Sequence, residues 1–324
     1  MKRKVRYSII IPVYNEEAVI NETYRRLTLV MESIGEPYEL LFVNDGSRDR
    51  TAEIIDGFAK TDKCVRLLDF SRNFGHQIAI TAGMDYACGD AVVIIDADLQ
   101  DPPELIPRMI EKWREGYEVV YARRTRRKGE TFFKRWTASL FYRTLRAMTE
   151  VDIPVDTGDF RLIDRNVCDA MQGIREKNRF VRGLVSWVGF RSTAIEYVRE
   201  ERLAGETKYP LKKMLRFSMD GITSFSYKPL KLATYLGFVV SLVSFICLVI
   251  SLGQRLFNTG TAAGWAPLMA CLTLLNGVTL IIMGILGEYI GRIYDETKNR
   301  PLYILRNKPK EEQAKSKGVI WSVQ

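Results

Sequence analysis

The first chemical signal lies in Asp96-Ala97-Asp98-Leu99-Gln100-Asp101, directly behind the apolar run Ala91-Val92-Val93-Ile94-Ile95. A β-branched run after Gly89-Asp90 reads as a buried parallel strand. Its carboxylates therefore emerge at the carboxyl end, where open α/β sheets place their ligands. Two hard oxygen donors one residue apart suit a divalent cation, and a cation holding a diphosphate would activate a nucleotide-linked leaving group. The alternative is an acidic loop that caps a helix, since Asp101-Pro102-Pro103-Glu104 is also a good helix start. A bare D-x-D does not separate the two.

The elements that must position these groups alternate between strand and helix. Tyr7–Pro12, Tyr38–Val43, Val65–Phe70, Ala91–Ile95 and Glu118–Ala122 read as strands at βαβ spacing, which predicts a doubly wound α/β domain. The chain has neither a G-x-G-x-x-G fingerprint nor a G-x-x-x-x-G-K-[ST] loop, so dinucleotide and P-loop chemistry are disfavoured. Polar residues instead follow each strand: Pro12-Val13-Tyr14-Asn15-Glu16, Asn44-Asp45-Gly46-Ser47, Ser71-Arg72-Asn73-Phe74-Gly75 and the aspartate cluster. Any one is explained by a turn or a cap; four on one sheet edge point to a site. His76, the only histidine, reads as a loop residue beside the Phe74-Gly75 turn.

The second half is different in kind. Ala233 to Leu252 and Trp265 to Gly287 carry no charge and approach the roughly twenty residues that cross a bilayer, which predicts a transmembrane hairpin. Lys228 and Lys231 precede it and Arg292, Lys298 and Arg300 follow it, while the connection holds only Arg255, so both termini and the large domain are expected in the cytoplasm. The basic start lacks a long apolar run, so no secretory signal is expected. Five scattered cysteines without a C-x-x-C pair fit a reducing compartment and give no metal site. The expected organisation is a catalytic domain at 1–208, an interfacial amphipathic helix at 209–228, a hairpin at 229–288 with spans near 232–253 and 265–287, and a cytoplasmic tail at 289–324.

The formal net charge of +9 is concentrated between Tyr121 and Arg146. Its arginines and lysines interleave with Phe132, Phe133, Trp136, Leu140, Phe141 and Leu145 at helical spacing. That pattern fits a helix on an anionic membrane surface better than a nucleic-acid patch, so anionic lipids are expected partners and nucleic acid is not. Leu211, Leu215, Met219, Ile222 and Phe225 form a second amphipathic stripe leading into Pro229.

Together, Pro12-Val13-Tyr14-Asn15-Glu16, Asn44-Asp45-Gly46-Ser47 and Asp96-Ala97-Asp98-Leu99-Gln100 resemble the inverting glycosyltransferases of the GT-A fold. Gly158-Asp159-Phe160-Arg161-Leu162 and Arg202-Leu203-Ala204-Gly205-Glu206-Thr207-Lys208-Tyr209 resemble the branch that loads sugars onto polyprenyl phosphates, related to dolichol-phosphate mannose synthase. With the hairpin, the likeness is strongest to the bacterial bactoprenol glucosyltransferase type. The resemblance implies a Rossmann-like GT-A domain and metal-dependent transfer of a hexose, glucose foremost, from a UDP-sugar to undecaprenyl phosphate, with inversion, at the bacterial cytoplasmic membrane.

The resemblance also implies roles residue by residue. Pro12, Tyr14, Glu16, Asn44, Asp45 and Asp96 would bind the nucleotide, and Asp45 would take the uracil. Asp96, Asp98 and Gln100 would hold Mg2+ or Mn2+. Arg123, Arg124, Arg135, Ser139, Arg202 and Lys208 would hold phosphate and acceptor groups. Asp159, Asp98 and Arg202 would be catalytic, with Asp159 at the position of a base. A phosphate monoester is already mostly ionised at neutral pH, so an aspartate there has little proton to remove. Two rivals remain: a processive polysaccharide synthase, against which the missing Q-x-x-R-W motif speaks, and a silent nucleotide-sugar-binding scaffold. Gly277, Gly284 and Gly287 would permit close helix contacts in a homo-oligomer.

Overall fold

A computed structural model describes residues 5–124, 157–198, 228–257 and 265–306. The catalytic half is a seven-stranded sheet in the order β3-β2-β1-β4-β6-β5-β7. Its first five strands are β1 (Tyr7–Val13), β2 (Tyr38–Asn44), β3 (Val65–Asp69), β4 (Ala91–Ile94) and β5 (Val119–Arg124), each within two residues of expectation. Two further strands are β6 (Thr157–Asp164) and β7 (Ser192–Tyr197). β6 runs antiparallel between β4 and β5, so the sheet is mixed. β7 shows no signal in the sequence, and β6 reads there as a motif and not as a strand. The reason is that Asp159 and Arg161 alternate with Gly158, Phe160 and Leu162, so the run lacks the continuous apolar signal of β1 and β4.

Helices cover both faces, as doubly wound folds require. On one side α1 (Ile20–Ile34), α2 (Thr51–Thr61) and α4 (Ile106–Arg114) pack Ile20, Leu27, Ile55, Ile106 and Met109 against Ile9, Ile11, Leu40 and Phe42. On the other, α3 (His76–Tyr86), α5 (Arg165–Gln172) and α6 (Val181–Trp187) pack against Ile10, Leu41 and Val43. Ile9, Ile10 and Ile11 thus serve both cores in turn, the period-two signature of a central strand. Full burial of one such side chain stabilises by roughly 1.5–3 kcal/mol. α3 is buried along seven consecutive residues, and Gly83 lets it approach β1, because a Cβ there would lie 2.2 Å from Ile10 Cγ2.

Two long helices follow, α7 (Lys228–Phe257) and α8 (Trp265–Thr297). Leu274–Thr297 is long and apolar enough to cross a membrane, and Ala233–Ile246 is a shorter apolar stretch, among the described residues. Phe238, Leu274, Leu280 and Ile281 point outward, a surface suited to an apolar environment. Beyond α8 the chain returns to the catalytic domain, where Leu302, Tyr303 and Leu305 pack on the core beside β3.

Candidate active site

The carboxyl ends of β1, β2 and β4 meet at one edge, and their loops are laced together. Asn15, left-handed at φ 54°, donates its amide to Ser47 Oγ and accepts at its side-chain oxygen from the Arg48 amide. The Glu16 amide donates to Thr51 Oγ1 and the Glu17 amide to Asp49. Pro12 is buried in β1, while Tyr14 is more than one-third exposed beside it.

Asn44 and Asp45 are both buried. The Asn44 amide donates to Asp69 Oδ1 at 2.7 Å, and its Oδ1 accepts from the Ser47 amide and hydroxyl. That side chain braces the turn. Asp45 Oδ1 accepts from the Phe74 amide at 2.6 Å and its Oδ2 from the Gly75 amide at 3.0 Å. Burial raises the Asp45 carboxyl above its usual range, against the pull of those two amides. Gly46 makes the turn possible: its φ is +68°, and a Cβ would meet the Arg72 carbonyl carbon at 2.5 Å.

The aspartate cluster follows β4. Leu99 adopts φ 55° and is buried, a conformation costing a non-glycine residue about 1–2 kcal/mol, and strain of this kind concentrates at functional sites. It turns the chain so that Asp98 Oδ1 accepts from the Gln100 amide at 3.2 Å. Asp96 Oδ1 is buried and accepts no hydrogen bond; His76 Nε2 lies 3.5 Å away. Burial, with Asp159, Asp101 and Asp98 nearby, pushes Asp96 up to about 6 despite the opposing charge of His76. An orphaned buried carboxylate oxygen crowded by other carboxylates fits a cation. No cluster of three or more His, Cys, Asp or Glu that could hold a metal occurs among the described residues. Magnesium-type sites commonly need only one or two carboxylates plus substrate phosphates, so Asp96 and Asp98 suffice on the protein side.

His76 is the principal correction. It opens α3 and does not sit in a loop, and its ring stands between Asp96 and Asp159, with Nε2 3.3 Å from Asp159 Oδ2. Burial opposes its charge, but the Asp159 bond and the charges of Asp96 and Asp159 push the imidazole up to about 9. Asp159, on β6, is held on its other side by Arg182 of α6, with Nε to Oδ1 at 2.8 Å and Nη2 to Oδ2 at 3.1 Å. Burial raises the carboxyl, yet Arg182 and His76 together hold it well below the usual carboxylate range. Arg161 is fully desolvated and lowered to about 10; its Nη2 donates to the Gly158 carbonyl at 2.9 Å.

A second polar group braces the cluster from behind. Asp101 is buried, Tyr197 donates its hydroxyl to Asp101 Oδ1, and Arg124 lies 3.4 Å from Oδ2. Gly158 makes room, since a Cβ there would lie 2.6 Å from Arg124 Nη2. Arg123 pairs with Glu196. Arg124 therefore touches the aspartate loop. Arg135, Ser139, Arg202 and Lys208 lie outside the described residues, as does most of the expected interfacial helix.

Sequence reasoning missed His76, Arg182 and Tyr197. For His76 the available signal was Gly75, a residue that tolerates positive φ, just ahead of the apolar run Ile78-Ala79-Ile80. Arg182 and Tyr197 had none.

The mixed, Rossmann-like sheet with carboxylates gathered at its carboxyl edge is that of the GT-A class of glycosyltransferases. The comparisons agree. Residues 8–171 match Glycosyl transferase family 2 and residues 228–293 match the GtrB C-terminal hairpin, so the chain belongs to glycosyltransferase family 2. It is 65% identical to the uncharacterized glycosyltransferase YkcC of Bacillus subtilis, over 94% of this chain and 95% of that one. It is 42% identical to the bactoprenol glucosyl transferase of Shigella phage SfV, over 94% of this chain and 99% of that one. It is 41% identical to the prophage bactoprenol glucosyl transferase homolog of Escherichia coli, over 93% and 99%. The protein is a glycosyltransferase with a GtrB-type C-terminal hairpin.

Proposed function

We propose that the protein transfers a hexose, glucose foremost, from a uridine diphosphate sugar to a polyprenyl phosphate such as undecaprenyl phosphate, with inversion. The carrying observation is the orphaned Asp96 carboxylate beside Asp98, facing the His76–Asp159–Arg182 chain on a domain joined directly to an apolar hairpin. The relatives named bactoprenol glucosyl transferase support the lipid acceptor and glucose as donor sugar.

In this reading Tyr14, Glu16 and Asp45 line the nucleoside pocket, with Pro12 and Asn44 supporting it. Asp96, Asp98 and Gln100 would hold a divalent cation, Mg2+ or Mn2+, which supplies positive charge to the diphosphate leaving group. An acceptor phosphate oxygen attacks the anomeric carbon as the bond to the diphosphate oxygen breaks, and the electron pair leaves on UDP. That oxygen is already ionised at neutral pH, and Asp159 is held charged by Arg182, so no proton has to move to it. Asp159 instead fixes Arg182 and His76 at the rim of the site. Arg123, Arg124, Arg135, Ser139, Arg202 and Lys208 are the acceptor and phosphate contacts in this reading, with Arg123 also paired to Glu196 and Arg124 to Asp101.

The catalytic domain faces the cytoplasm in this reading. The chain rejoins that domain at the end of α8, where the Lys177 amide donates to Glu296 at 2.6 Å. A hairpin of the GtrB type implies an even number of crossings, and the basic flanks favour the cytoplasmic side.

The test is transfer by the full-length protein in micelles of polyprenyl phosphate, against a panel of labelled sugar nucleotides. The expected product is lipid-extractable and acid-labile, strongest with UDP-glucose, and lost on chelation or in Asp98→Asn. Nucleotide binding without any lipid product refutes the proposal and favours a scaffold.

A further inference from the structure

Behind the nucleotide loops, the segment that leaves α8 is stitched to the edge of the sheet. The Ser71 amide donates to the Ile304 carbonyl at 2.9 Å, the Arg306 amide donates to the Asp69 carbonyl at 2.8 Å, and Phe70 and Leu305 form an antiparallel bridge. β3 would otherwise be an open edge strand, and this segment covers its end. Tyr303 stacks on Phe70 with ring centroids 5.3 Å apart and planes 9° from parallel, and its hydroxyl donates to Asp85 at 2.8 Å. Arg175 holds the same Asp85 oxygen at 2.8 Å.

The place of this contact is what gives it meaning. Phe70 begins the loop 70–75, and its other face meets Phe74 edge-on at 5.6 Å. The Phe70 amide donates to the Asn44 carbonyl, and Asp69, the last residue of β3, takes the Asn44 side-chain amide. Phe74 and Gly75 then give Asp45 the amides that hold its carboxylate. A continuous chain of contacts therefore runs from Tyr303 through Phe70 and Phe74 to Asp45.

We infer that Leu302–Arg306 is a positioning element of the nucleotide site, with Tyr303 its anchor. The segment fixes the loop 70–75 in the shape that orients Asp45, and so joins the end of α8 to nucleotide affinity. This rests on the reading of Asp45 as a nucleoside contact. A purely structural patch on an edge strand would stabilise the domain and leave nucleotide affinity alone. A positioning element changes affinity for the nucleotide while leaving the lipid acceptor unaffected.

The experiment measures UDP binding by calorimetry on the full-length protein in micelles, with KM for UDP-sugar and for polyprenyl phosphate measured separately. Tyr303→Ala is expected to weaken UDP about three- to tenfold, the scale of one lost aromatic pair, and to raise the UDP-sugar KM alike. The acceptor KM stays within about twofold, and Tyr303→Phe, which keeps the stack, restores UDP affinity. Tyr303→Leu replaces the alanine variant should that one unfold. Folded Tyr303→Ala or Tyr303→Leu protein with wild-type UDP affinity overturns the inference. Asp45→Ala separates the two levels: if it loses UDP while the Tyr303 variants do not, the coupling alone fails. If Asp45→Ala also binds UDP normally, the nucleoside role of Asp45 and the inference fall together.

Discussion

Replacing Arg182 by methionine removes the charge that keeps Asp159 ionised while preserving most of the side-chain volume. Two charge-assisted hydrogen bonds to Asp159 are lost, at 2.8 and 3.1 Å, together with one to the Thr157 carbonyl at 3.2 Å. Asp159 is 7% exposed, and its remaining cations are His76 at 3.3 Å and Arg161 at 3.9 Å. Removing one partner of a fully buried pair costs about 3–5 kcal/mol. Arg182 itself is 26% exposed, so water already screens part of the interaction, and about 2 kcal/mol is the reasoned figure.

The pH dependence separates this cause from mere loss of packing. Asp159 sits below its unfolded value because Arg182 and His76 overcome the effect of burial. Its stabilisation is therefore complete above the ordinary aspartate value of about 4 and disappears as pH falls through the lower folded value. Without Arg182, burial gains weight and the folded value rises. Urea unfolding of the micelle-embedded protein should show a gap between wild type and Arg182→Met of about 2 kcal/mol at pH 7 that narrows steadily below pH 4. Turnover should fall about tenfold or more, because an uncompensated charge then stands beside Asp96 where a diphosphate must arrive. A gap that is the same at pH 7 and pH 3, or smaller than about 0.5 kcal/mol, refutes the electrostatic argument.

Gly46→Ala forces a Cβ into the Arg72–Asn73 backbone at positive φ, so a loss of roughly 2–4 kcal/mol in unfolding free energy and a weakened UDP complex are expected together. Calorimetry with UDP checks it, and wild-type affinity would separate Gly46 from the nucleotide loop. The His76 imidazole, raised to about 9, contributes stability that is complete below pH 6.5 and lost as pH rises through 9. With two-fifths of its side chain exposed the contribution is about 1 kcal/mol, and in chelator-treated protein His76→Gln should remove this alkaline loss from urea titrations. Tyr197→Phe leaves Asp101 buried without its hydroxyl donor and should cost about 1–3 kcal/mol in the same titration.

The sequence exposes those parts of the fold whose signal is local. β1, β2 and β4 are buried on both faces, so each is a continuous apolar run, and the polar residues at their ends must lie on one sheet edge. β6 is just as buried, but its polar residues face the site, and alternation of Asp159 and Arg161 with Phe160 and Leu162 imitates a loop motif. His76 owes its meaning to Asp159, 83 residues away in sequence, and Tyr303 owes its own to Asp85, 218 residues away. No window of sequence holds either pair. A short helical turn does follow Asp101-Pro102, but Pro102 holds its N-cap position and no side chain caps it, and Asp101 answers instead to Arg124 and Tyr197 from distant strands.

Charge shows the same difference between one dimension and three, and it bears on mechanism. Along the chain, Arg123 and Arg124 read as positive charge for phosphate groups, Arg161 lies within a motif and Arg182 carries no signal. In space Arg123 meets Glu196, Arg124 meets Asp101, and Arg161 and Arg182 both lean on Asp159. With His76 protonated, the carboxylates Asp96, Asp98, Asp101 and Asp159 are set against Arg124, Arg161, Arg182 and His76, and this group is neutral. A diphosphate entering a neutral site would lose hydration without gaining a counter-charge. Positive charge must therefore come with the substrate or close over it. A divalent cation at Asp96 and Asp98 would supply the first, and Arg202 with Lys208 the second, so catalysis should require both. Chelation and the Arg202→Ala and Lys208→Ala variants should each abolish transfer at substrate concentrations where UDP still binds, and full activity in any of the three would break this account of the site.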